Sequence, residues 1–110
     1  MGLKKEFTDI FGNSANYMKI VEEHRNHFSQ QGSIHVWAWK NKAARNSGKD
    51  PVEKVWIEIS PYATIKEPFL RRINYAEAAD MKRPELYTLL KTSVLNFSQG
   101  LVDLKTSEDE

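Results

Sequence analysis

A chain of 110 residues supports one hydrophobic core and no second, since a domain of this size shields only about two-thirds of the surface its unfolded form exposes. With 40% hydrophobic and 28% charged residues, its composition is that of a folded protein and excludes disorder or a fibrous repeat. Cysteine is absent, which removes disulfides, thiolate metal sites and thiol nucleophiles, and 16 basic against 15 acidic residues leave a net charge of +1, too small to steer the chain toward nucleic acid or anionic lipid.

The opening Met1-Gly2-Leu3-Lys4-Lys5-Glu6 has no hydrophobic stretch behind its lysines, and no apolar run approaches the roughly 20 residues that cross a bilayer. No secretion signal and no membrane association are expected, and the expected compartment is the cytoplasm. Gly2 stands where a myristoylated glycine would, but Glu6 occupies the place of the required Ser or Thr.

Residues 16–28 admit two readings. Tyr17, Ile20, Val21, His24 and Phe28 fall at helical spacing behind a Ser14 cap, yet Tyr17, Ile20 and Val21 also suit a strand over 17–26 that the turn formers Ser29 to Gly32 would fold onto the next segment. That next segment, 33–42, is rich in β-branched and aromatic residues and reads as a strand. Alternation places His35, Trp37 and Trp39 on one face and Ile34, Val36 and Ala38 on the other. Asn46 to Pro51 is dense in turn residues, and 52–60 answers as a second strand with Val55, Ile57 and Ile59 on one face, giving an antiparallel hairpin with a long basic connection.

Pro61 and Pro68 bracket a piece limited to a loop or an edge strand, because proline donates nothing to a ladder. Asn74, with Glu77 three residues on, predicts a capped helical turn through Met81. Pro84 then opens a helix over 84–98, with Leu86, Leu89, Leu90, Val94 and Phe97 as its apolar stripe and Gly100 as its cap. The expected fold is α+β: a small antiparallel sheet made of the hairpin 33–42/52–60, joined by 17–26 if that segment is extended, and packed by the C-terminal helix 84–98. One domain spans 1–104, and 105–110 form an acidic, disordered tail.

Two constellations carry candidate chemistry. Trp37 and Trp39, with His35 on the same face and Lys40, Lys42, Arg45 and Lys49 beyond, have the makings of a single-stranded nucleic-acid platform, where rings stack on bases and cations hold phosphates. The same indoles serve equally as sheet core beneath the final helix, and the near-zero net charge favours core. His24 and His27, with Glu22 and Glu23, offer metal-ligand chemistry, but on a strand they do not all converge and no further ligand is evident, so no metal is expected. The five glycines are isolated and Gly48-Lys49-Asp50 lacks the upstream glycine of a phosphate loop, so no catalytic residue and no cofactor are assigned and the chain is not expected to be an enzyme.

Three stretches carry a family likeness: Tyr17-Met18-Lys19-Ile20; Trp39-Lys40-Asn41-Lys42-Ala43-Ala44-Arg45 followed by Gly48-Lys49-Asp50-Pro51-Val52; and Leu90-Lys91 ahead of Phe97, Gly100 and Asp103. In these the chain resembles small head and tail proteins from the structural modules of tailed phages and prophages of Gram-positive bacteria. The resemblance implies a strand-rich domain, an extended 17–26 segment, a part in virion or tail assembly with virion association, and no catalytic residues. The expected function is therefore a non-catalytic structural or assembly protein acting on a protein partner or on its own copies. The alternative is a single-stranded nucleic-acid-binding module.

Overall fold

The computed structural model describes residues 2–8, 12, 14–63, 70–97 and 100–110. Along the chain run β1 (Leu3–Thr8), β2 (Ser14–Asn26), β3 (Gln31–Trp39), α1 (Lys42–Asn46), β4 (Glu53–Ser60), β5 (Arg72–Asn74), α2 (Tyr75–Ala78), α3 (Arg83–Leu90), β6 (Val94–Phe97), β7 (Gly100–Asp103), a 3-10 turn (Leu104–Thr106) and β8 (Glu108–Asp109). The fold is α+β, as expected, but the main sheet has six strands in the order β5-β4-β3-β2-β1-β8 and is curled into a half-barrel, with β6 and β7 as a separate antiparallel pair. All neighbours in the main sheet run antiparallel except β4 and β5, which run parallel.

The expected hairpin is present as β3 and β4; Ile34, Val36 and Ala38 of β3 are buried on one face, while on the other Trp39 is buried and His35 and Trp37 are half-buried. Its connection is not an open basic loop. Asn41 Oδ1 accepts from Ala44 N at 2.7 Å to cap α1, Gly48 takes the left-handed φ of +80° that ends it, and Val52 N returns to Ala38 O at 2.7 Å.

Residues 14–26 are strand, which settles the two readings of 16–28 against the helix. The pairing with β3 slips by one residue between Ile20 and Glu22, so that Ile20 faces Val36 and Glu22 faces His35. This bulge at Val21 reverses the phase of the strand: Met18 and Ile20 point into the core before it, and Glu23 and Arg25 take the inner side after it. Two adjacent half-buried or buried apolar residues at a phase reversal imitate a helical stripe.

The helix expected over 84–98 ends at Leu90. Thr92 Oγ1 and Ser93 Oγ both donate to Leu89 O, at 2.9 and 2.7 Å, and these hydroxyls occupy a carbonyl at the helix end while the chain turns into β6. Gly100, expected as the helix cap, begins β7. Residues 105–110 were expected as a disordered tail and are instead docked. Leu104 is fully buried, its N–H donates to Ser93 O at 2.9 Å, and β8 pairs Asp109 with Leu3 and Glu108 with Lys4. Asp109 also meets Lys91 Nζ at 3.3 Å, so the acidic composition is matched by cations on the surface it covers.

Asn74 caps α2 as expected, accepting from Ala76 N at 2.9 Å. Of the segment between Pro61 and Pro68, residues 64–68 lie outside the described residues; Pro61 and Tyr62 form a turn and Ala63 is buried.

The core lies on the inner face of the half-barrel, where Met18, Ile20, Ile34, Val36, Ile57 and Ile59 meet Leu86, Tyr87 and Leu90 of α3 and Leu95 and Phe97 of β6. Phe7 stacks on Phe97 with ring centroids 4.9 Å apart. β1 pairs with β2 only as far as Met18. Beyond that point α2 and α3 take over: the Tyr87 hydroxyl accepts from Ile20 N at 2.9 Å, Arg83 Nη1 donates to Ile20 O at 2.9 Å, and Arg25 donates to Ala78 O and Met81 O at 2.9 and 2.8 Å. Glu23 holds both arginines in one ionic group, so the strand's continuation is covered rather than left open.

Candidate functional site

Cross-strand partners share a face, so the outer face of the sheet follows from its register. Tyr17 lies opposite Trp39, Lys19 opposite Trp37 and Glu22 opposite His35; on the other side of β3, Lys54 lies opposite Trp37, Trp56 opposite His35 and Glu58 opposite Ser33. The result is an aromatic band crossed by charges of both signs.

The expected indole pair is therefore not in the core beneath the final helix. Ile34, Val36 and Ala38 hold that side, and the indoles occupy the opposite one. Trp39 is nonetheless only 5% exposed, because the β3–β4 connection folds over it: its Nε1 donates to Lys49 O at 2.9 Å, and its ring leans on Tyr17 and Trp37, 6.4 and 6.1 Å away between centroids. Trp37 is half-buried, with Lys54 Nζ 4.3 Å from its ring centroid in a cation–π contact. The open indole is Trp56, 66% exposed. Trp56 projects from the face of β4 opposite Val55, Ile57 and Ile59, and the pairing of β4 with β3 puts it beside His35.

The cations assigned to a nucleic-acid platform lie on or beside the connection. Lys40, Lys42 and Lys49 are exposed and Arg45 is half-buried in the last turn of α1. Arg45 bears electrostatically on Tyr17 and Lys19. Burial lowers Lys19 below its ordinary value, with Arg45, Arg83 and Lys42 adding to the effect. Burial raises the Tyr17 hydroxyl, opposed by Arg45 and assisted by Glu110. The structure thus sets Trp37 and Trp39 side by side but seals Trp39, the ring a base would need, and the charge of Arg45 bears on Tyr17 and Lys19.

The ligand-bearing residues regroup as well. Glu23 turns inward to Arg25 and Arg83, and His27 bonds the Tyr75 hydroxyl at the end of the sheet. Glu22 and His24 stay on the outer face, with His24 Nε2 3.2 Å from Glu22 Oε2, and His35 of β3 joins them from across the ladder. One ligand atom from each of Glu22, His24 and His35 lies within 4.8 Å of the other two. The His24 and His35 rings meet edge-on at 5.9 Å, Trp56 leans on His35 at 6.4 Å, and Ser33 Oγ lies 3.0 Å from His35 Nε2.

Among the described residues, no helix is long and apolar enough to cross a membrane. No protein-family model, no curated protein and no solved structure matches the chain, so the chemistry of this face rests on its own residues.

Proposed function

We propose that the chain is a non-catalytic structural or assembly protein that works through protein contacts, using the outer face of its main sheet. The observation that carries this reading is Trp56, two-thirds exposed on a regular strand beside half-buried Trp37 and His35. A large ring with few rotatable bonds is the usual centre of a protein contact. Around it Lys19, Lys54, Glu22 and Glu58 supply both signs of charge, which suits the rim of a protein interface better than a track for phosphates. A second copy of the chain is the partner proposed, since closed homo-oligomers are the common state of soluble assemblies. The setting in a phage or prophage particle belongs to the same proposal and rests on the resemblance described above.

Light scattering over a rising concentration series tests it. The expected mass grows beyond that of one chain, and Trp56→Lys returns it to one. A single-chain mass at every concentration overturns the reading. Quenching of tryptophan emission by an oligonucleotide at low salt, lost as salt rises, would favour the nucleic-acid alternative, against which the sealed Trp39 already weighs.

A further inference from the structure

We infer that Glu22, His24 and His35 form a binding site for one divalent first-row transition ion, with Zn2+ the best fit. The site does not depend on the assembly reading.

Its construction follows from the bulge. A strand that alternates without interruption from Ile20 would turn Glu22 and His24 to the inner side. The slip at Val21 sends both outward, two residues apart on one face, and sets Glu22 directly across from His35. Three ligand groups from two adjacent strands then converge within 4.8 Å.

Ligand atoms around a tetrahedral ion with bonds of about 2.0–2.1 Å stand roughly 3.4 Å apart. The Glu22 to His24 separation of 3.2 Å already meets this. The His24 side chain is 64% exposed and Glu22 57%, so both turn freely enough to close the remaining distance to His35. His35 is the fixed member: half-buried, flanked by the rings of His24 and Trp56, and touched by the Ser33 hydroxyl. A hydroxyl on one ring nitrogen is the kind of outer partner that sets the orientation of a ligating imidazole.

The donor set names the ion class. Two imidazoles and one carboxylate suit borderline transition ions, whereas Ca2+ and Mg2+ take oxygen donors and would gain only one here. Three protein ligands leave a tetrahedral ion one position for water, and on an exposed face that position opens to solvent. Sequence alone misses the site because its third ligand lies eleven positions from His24 and arrives only through the strand register.

Calorimetric titration of the full chain with zinc chloride tests the inference. One ion per chain is expected. His24→Ala and Glu22→Gln should each weaken binding at least about tenfold, the lower end of what even an outer-shell change costs a metal site. His35→Ala should do the same, and far-UV circular dichroism confirms that each variant remains folded; if His35→Ala unfolds, the two exposed positions carry the test. His27→Ala should leave binding unchanged, because that ring is engaged with Tyr75. Zn2+ binding that is indifferent to His24→Ala and Glu22→Gln, binding lost with His27→Ala instead, or no uptake of Zn2+ overturns the assignment. Because the readout is ion uptake and not mass, its failure is distinct from failure of the assembly reading.

Discussion

Replacing Tyr87 with Phe removes one oxygen from the join between α3 and the sheet. The hydroxyl accepts from Ile20 N at 2.9 Å in a buried position, at the residue that precedes the bulge. The ring itself stays, so the perturbation is the loss of an acceptor and not the opening of a large cavity. A buried N–H left without a partner costs about 1–3 kcal/mol. For a chain of this size each kcal/mol lowers Tm by roughly 4 °C. Arg83 still holds Ile20 O, so α3 should remain docked and the slope of a urea transition should not change. Urea unfolding of Tyr87→Phe beside Tyr62→Phe is the assay. Tyr62 is 88% exposed, and its variant should stay within about 0.5 kcal/mol of the parent. A Tyr87→Phe variant equally close to the parent would refute the claim that this bond secures the helix.

Three further outcomes are expected. Gly32→Ala should destabilise by about 1–3 kcal/mol or more in the same urea assay, because an added Cβ would stand 1.9 Å from the His24 carbonyl oxygen, a backbone atom no rotamer can move. Leu104→Ala should cost about 2–5 kcal/mol, and amide exchange at Leu3 and Lys4 should accelerate as β8 loosens from them. Burial raises both Tyr17 and Tyr87 above their ordinary 10.0, so the folded state keeps its protons longer than the unfolded one; the stability they contribute is whole below pH 10 and is lost as pH climbs through the raised values. Denaturation followed across that range should show the decline, and Tyr87→Phe should make it shallower; Lys19, whose value is lowered, contributes with the opposite sign.

What the sequence discloses here depends on how local the cause is. β3 and β4 are legible because each alternates over eight or nine residues between recognisable turn formers. β2 is half legible, since a bulge whose partner lies on another strand reverses its phase. Leu90, Val94 and Phe97 keep helical spacing across a real helix end, and the pattern carries no sign that Thr92 and Ser93 will claim the Leu89 carbonyl. β1 and β8 carry too little pattern to stand alone: β1 is a strand because β2 pairs along it, and β8 because β1 offers it the free edge. The candidate site divides the same way: Trp37 and Trp39 announce themselves by type, whereas Trp56 gains meaning only from what lies across the ladder.

The hydrogen bond from Glu110 N to Gly2 O, 3.0 Å long, brings the described ends of the chain to a single corner. Gly2 and Glu110 thus lie side by side, and a linker of a few residues would join them into a ring. New termini opened at the exposed turn around Gly48 would then leave the strand pairings intact and set one new end beside Lys49, whose carbonyl oxygen accepts from Trp39 Nε1, so the permutant would probe how firmly that indole is sealed.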